Sequence, residues 1–193
     1  EGTQPGLMQA REVETFFHEF GHLLHHILAG HQAWYAQSGI KTEWDFVEAP
    51  SMMLQEWANQ KDVLTRFAKH FETQAPVPSK MIDTMVAANE FGKGLMTRRQ
   101  LYFAMVSLDF YSRAPGFDAT QVSADLQKDF MPMRREVVEN TYYPLSFGHL
   151  DGYSAIYYTY MWSAVIARDF MQQFQKGGFL NTTVASKYRE RVL

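Results

Sequence analysis

Val13-Glu14-Thr15-Phe16-Phe17-His18-Glu19-Phe20-Gly21-His22-Leu23-Leu24-His25-His26-Ile27-Leu28 contains no proline, and its apolar residues recur every three or four positions. That spacing predicts a helix from Ala10 to about Ala29, with Gly30 as its stop. The apolar residues Val13, Phe16, Phe17, Phe20, Leu23, Leu24, Ile27 and Leu28 are expected to form the face that packs.

Inside this helix lies His18-Glu19-Phe20-Gly21-His22, an H-E-x-x-H arrangement. Residues four apart on a helix differ by about 40° around the axis and about 6 Å along it, so both imidazoles project to one side. Two metal ligands are thereby placed by the backbone alone. Glu19 lies about 100° round from His18, beside a bound metal rather than on it, where a general base for an attacking water belongs. With seven His in 193 residues, the motif would arise by chance in only about one or two such chains per hundred.

A catalytic zinc takes three protein ligands and leaves one position open. His25 lies about two turns, or about 10 Å, beyond His18, too far to join the same tetrahedron while the helix continues. It is expected to pack or to support the site. A carboxylate arriving from a neighbouring helix completes such a set, and on spacing alone Glu43, Asp45, Glu48 and Glu56 all compete for the place.

The remaining sequence reads as further helices. Residues 31 to 46 show no helical period and are read as loop, with a possible short β-hairpin. A second helix is expected from Pro50 to about Phe71, with Met53, Leu54, Trp57, Ala58, Leu64, Phe67, Ala68 and Phe71 on one face and Pro76 and Pro78 beyond its end. Others are expected over 79–91, 97–112 and 120–140, the last capped by Asp118, and a final long one over 152–176 that stops at Gly177-Gly178. There is no internal repeat. The fold class is mainly α, a single domain over 1–193 built around an active-site helix and a second ligand-bearing helix.

Composition sets outer bounds. The chain is 46% hydrophobic and 20% charged, enough to bury one substantial core. Its net charge is −3 with the two signs interspersed, which favours neither nucleic acid nor an anionic membrane. The most apolar run, Ile156 to Ala167, is about half the roughly 20 residues a membrane span needs. With no cysteine, there is no disulfide framework, and metal ligands must come from His, Asp and Glu. The chain begins Glu1-Gly2-Thr3-Gln4-Pro5 without Met or a signal-like segment, and ends Lys187 to Leu193 in what reads as uncapped helix. The expectation is a piece of a longer protein.

Two segments in order then become specific. Phe17-His18-Glu19-Phe20-Gly21-His22-Leu23-Leu24-His25, followed about thirty residues later by Asp45-Phe46-Val47-Glu48-Ala49-Pro50-Ser51, resembles the M3 family of zinc oligopeptidases. A third, Phe147-Gly148-His149-Leu150-Asp151-Gly152-Tyr153 leading to Tyr157-Tyr158-Thr159-Tyr160, extends the resemblance over nearly the whole chain. It implies a helical zincin of the gluzincin type with one zinc held by His18, His22 and Glu48, and with Glu19 as base and then acid. It further implies that His149, Tyr153 and Tyr160 donate hydrogen bonds to the peptide or its tetrahedral oxyanion, and that Tyr157 lines the substrate cleft. Spaced four and three apart, the three tyrosines are expected to share one helix face.

The resemblance implies a zinc-dependent endopeptidase acting on short peptides in the cytoplasm, with an amino-terminal half, absent from this chain, forming the other wall of the substrate channel. Two alternatives stand beside it: a dipeptidyl carboxypeptidase of the same family, and a non-catalytic zinc- or peptide-binding fragment.

Overall fold

The computed structural model describes residues 6–133, 136 and 138–193. Glu1 to Pro5, which carry the abrupt start noted in the sequence, lie outside the described residues. The elements are α1 (Ala10–Leu28), α2 (Ala49–Gln55), α3 (Lys61–Phe67), α4 (Ser79–Glu90), α5 (Lys93–Ser112), α6 (Ala119–Phe130), α7 (Tyr143–Ser146), α8 (His149–Gly152), α9 (Thr159–Gly177) and α10 (Thr182–Arg191). Among the described residues there is no β-strand, only an isolated bridge between Lys69 and Pro76. The fold is mainly α, as expected, and none of these helices is long and apolar enough to cross a membrane.

The chain divides into two compact units. One comprises the residues up to Glu90 together with Ser163–Leu193; the other is Phe91–Trp162.

In the first unit, α1 packs chiefly on α2. Its start is held by the Gln9 N–H, which donates to the Glu12 carboxylate at 2.6 Å. The face that packs differs from the expected one. Gly21 and His25 are buried and Phe17 joins the core, whereas Phe16, Phe20, Leu23 and Ile27 face outward, with Phe16 59% and Ile27 58% exposed. An apolar set recurring on two sides of a helix gives the period but not which side is covered.

The core of this unit gathers Met53, Trp57 and Val63 against Ala167, Met171 and Phe174 of α9. Trp57 donates its indole N–H to the Phe179 carbonyl at 3.1 Å and meets the Phe174 ring edge-on at 4.8 Å. Seating that indole breaks the expected Pro50–Phe71 helix. The α2 helix tightens into a 3₁₀ turn over Glu56–Asn59, Gln60 is extended at φ −92° and ψ 128°, and α3 restarts at Lys61. Residues 68–77 reverse direction instead of continuing the helix, closed by Val77 N–H to Ala68 carbonyl at 2.9 Å. The loop after α1 forms a 3₁₀ turn at Tyr35–Gln37 rather than a hairpin; with no alternating apolar run there is no sheet face to bury.

In the second unit, α5 starts at Lys93 from Gly92, whose φ of 72° suits glycine. The Asp118 carboxylate caps α6 as expected, accepting from Gln121 N–H at 3.0 Å. The α6 helix stops at Phe130 because Met131 precedes Pro132 and is extended; of its expected continuation to 140, Arg134, Arg135 and Val137 lie outside the described residues. The last long helix begins at Thr159 rather than 152, so Tyr153 and Tyr157 precede it. Ser154 at φ 49° takes a left-handed conformation that interrupts the helix.

Candidate active site

On α1, His18 and His22 stand one turn apart with ring centroids 5.0 Å apart. Glu48 enters from the start of α2, and its Oε2 lies 3.2 Å from Nε2 of His18 and 3.2 Å from Nε2 of His22. Among the described residues, these three form the cluster whose ligand atoms converge, all within 4.8 Å of one another. Glu43, Asp45 and Glu56, the competitors on spacing, do not join it.

Burial is graded across the cluster. Glu48 is 2% exposed, while the histidine side chains are 19% and 20% exposed, so the carboxylate forms the floor and the imidazoles the rim. A bare carboxylate this buried is costly unless it faces cations or donors. The Ser51 hydroxyl sits 3.1 Å from Glu48 Oε2 and 2.9 Å from the Glu48 carbonyl. The Ser163 hydroxyl of α9 donates to the Asp45 carbonyl at 2.9 Å, fixing the turn that delivers Glu48.

The donor set fits a metal. Gln55 Oε1 lies 3.2 Å from Nδ1 of His18; an amide oxygen only accepts, so the neutral ring carries its proton on Nδ1 and presents the Nε2 lone pair towards Glu48. Two imidazole nitrogens and one carboxylate oxygen within 4.8 Å of one another are a donor set that can hold a metal ion. Burial lowers the His18 pKa, but hydrogen bonding to Glu48, the Glu48 charge, Gln55 and Glu19 together carry it above the ordinary imidazole value. Glu19 is exposed on α1, close enough for its charge to bear on His18. His25 is 4% exposed and packs edge-on against Phe46 at 6.2 Å, with its Nδ1 lacking a protein partner. Burial, then the charges of His22 and His26, push its pKa down.

The second unit brings together the other named residues. The His149 ring lies 5.5 Å from Tyr153, 5.1 Å from Tyr157 and 5.7 Å from Tyr160, and Tyr153 stacks on Tyr160 at 5.4 Å. The shared helix face expected for the tyrosines is not how they meet: only Tyr160 lies on α9, and the break at Ser154 folds Tyr153 back onto it. Tyr157 is 7% exposed and donates its hydroxyl to Gln100 Oε1 at 3.0 Å, whereas His149 is exposed.

Comparison with known proteins agrees with these motifs. The model of Peptidase family M3 matches residues 1–193. The chain belongs to peptidase family M3. It is 34% identical over 180 residues to organellar oligopeptidase A of Arabidopsis thaliana, covering 92% of this chain and 23% of that protein. It is 33% identical over 197 residues to oligopeptidase A of Salmonella typhimurium, covering 98% and 28%. To mitochondrial intermediate peptidase of Botryotinia fuckeliana it is 33% identical over 200 residues, covering 100% and 25%. The chain thus spans about a quarter of the length of the curated relatives it matches.

M3 peptidases are metallopeptidases, and the convergent triad of this M3 chain is compatible with such a centre. Several residues around the triad escaped the sequence reading. Gly21 is one: a Cβ there would lie 2.6 Å from Ser51 Cα and 2.9 Å from the Pro50 carbonyl oxygen, so only glycine lets α1 and α2 approach closely enough for the three ligand atoms to meet. A glycine between two metal-spaced histidines was the available signal. Ser51, Gln55 and Ser163 act through hydrogen bonds across 3, 37 and 118 residues of sequence separation, and the two longer-range contacts leave no local pattern.

Proposed function

We propose that this M3 chain is the catalytic portion of a zinc-dependent endopeptidase that hydrolyses internal bonds of short peptides. The observation that carries the reading is the convergence of His18 and His22 on Glu48 at 3.2 Å, with the histidine side chains 19% and 20% exposed and the His18 tautomer set by Gln55. In this reading His18, His22 and Glu48 hold one zinc. Zinc held there would supply Lewis acidity, lowering the pKa of a water and polarising the scissile carbonyl.

The chain's own residues do the rest. Glu19, one position along α1 from His18, takes the proton of the attacking water and passes it to the leaving amine. Ser51 and Ser163 keep Glu48 in place, and Gln55 keeps the His18 ring oriented. His149, Tyr153 and Tyr160 donate hydrogen bonds to the peptide or its oxyanion, where such donors are worth most as charge develops. Tyr157 lines the substrate side while its hydroxyl is held by Gln100.

The test is Glu19→Gln in the complete protein. It keeps the zinc but lowers peptide turnover by about 10²- to 10⁴-fold, the range for removing a positioned base. Substantial turnover in a zinc-loaded Glu19→Gln variant would overturn the assignment.

A further inference from the structure

Between the single turn α8 and the start of α9 the segment that carries Tyr153 and Tyr157 runs through short-range turns, one of them through the left-handed Ser154 at φ 49°. Its bracing comes from α5. Ser107, 1% exposed, donates its hydroxyl hydrogen to the Ser154 carbonyl and accepts the Tyr157 N–H at 3.3 Å. Tyr111 donates its hydroxyl to the Leu150 carbonyl, and Gln100 accepts from the Tyr157 hydroxyl at 3.0 Å.

Positions 100, 107 and 111 are seven and eleven residues apart, two and three turns, so they lie within about 20° of one line along α5. One rigid edge therefore holds the segment beside His149, beside Tyr153 and at Tyr157. Among these braces Ser107 alone uses one hydroxyl both to donate and to accept. It thereby spans the left-handed turn and fixes the direction in which the chain leaves Tyr153 and enters Tyr157. A left-handed non-glycine residue persists only where its surroundings hold it.

We propose that Ser107 is a positioning residue for the His149–Tyr153–Tyr160 cluster, with Tyr111 as its auxiliary. The proposal rests on the reading above that His149 and Tyr160 donate to the peptide or its oxyanion. Ser107 does not touch substrate in this account; it acts by setting where those donors stand. A displacement of about 1 Å in such a group is enough to cost about 100-fold in rate.

The experiment uses the complete protein, zinc-loaded, with kcat and KM measured on an internally quenched short peptide. Ser107→Ala is expected to lower kcat by about 10- to 100-fold, with zinc content kept and KM changed far less. Tyr111→Phe, at an exposed position that folding tolerates, gives a smaller fall of the same kind and carries the comparison if Ser107→Ala does not fold. The decisive readout is coupling. In a His149→Ala, Tyr153→Phe, Tyr160→Phe background, either substitution should cost less than about two-fold, because the donors it positions are gone. Wild-type kcat in the single variants, or an equal loss in both backgrounds, would overturn the positioning role. Unchanged turnover in the His149→Ala, Tyr153→Phe, Tyr160→Phe background by itself would instead overturn the underlying assignment of the donors.

Discussion

Replacing Gly21 with Ala tests how closely the metal centre depends on the crossing of α1 and α2. The added Cβ would lie 2.6 Å from Ser51 Cα and 2.9 Å from the Pro50 carbonyl oxygen, both backbone atoms that cannot rotate away. An ordinary carbon–carbon contact needs about 3.6 Å, so the helices must part by about 1 Å at this point. Glu48 lies one turn before Ser51, and His18 and His22 flank Gly21, so the separation passes directly into the 3.2 Å approaches of Glu48 Oε2 to both rings. Metal–ligand distances tolerate only about 0.2 Å. Zinc affinity should therefore fall by about 100-fold, the upper range for disturbing the supports of a metal site.

Stability supplies a second sign. Overpacking costs about 1–3 kcal/mol, against the roughly 1 kcal/mol that Ala gains over Gly inside a helix. The net effect is between no change and a loss of about 2 kcal/mol. Zinc competition against a chromophoric chelator and urea unfolding measure the two effects, with Leu23→Ala on the exposed side of α1 as the control that leaves zinc binding intact. A folded Gly21→Ala protein that binds zinc like the wild type and gains about 1 kcal/mol would refute the reasoning.

Gln55→Leu and Ser51→Ala each remove a hydrogen-bonding partner of a proposed ligand, and each should weaken zinc binding by about 10- to 100-fold in the same competition assay without unfolding the chain. His25 is buried with its pKa depressed, so the unfolded chain binds the extra proton first. Stability is then lost as pH falls from the unfolded value of about 6.5 towards the folded one, and denaturant titrations at pH 7 and pH 5 should show a shallower pH dependence in His25→Leu. An unchanged slope would place the acid sensitivity elsewhere.

The parts of the structure legible in the sequence were those written in local periodicity. The α1 helix, the side shared by His18 and His22, the Asp118 cap and the stop at Gly177 all follow from spacing or single-residue chemistry. Glu48 did not: four acids competed on spacing, which favoured Glu48 only modestly, and the choice among them came from the resemblance of the segment around it. The helix boundaries that moved did so for tertiary reasons. The α2–α3 break seats Trp57 against Phe174 and Phe179, and the late start of α9 follows from Ser154, whose left-handed turn is held by a serine 47 residues away. Pro132 was a local signal for the end of α6, and the apolar run around it hid that signal.

The most direct test of the central claim is the metal content of the purified, zinc-reconstituted protein by elemental mass spectrometry, compared with Glu48→Ala. The account predicts one zinc per chain in the wild type and loss of that zinc in a variant that stays folded. Equal zinc in both, or none in a folded wild-type protein, would contradict the assignment of His18, His22 and Glu48 as its ligands.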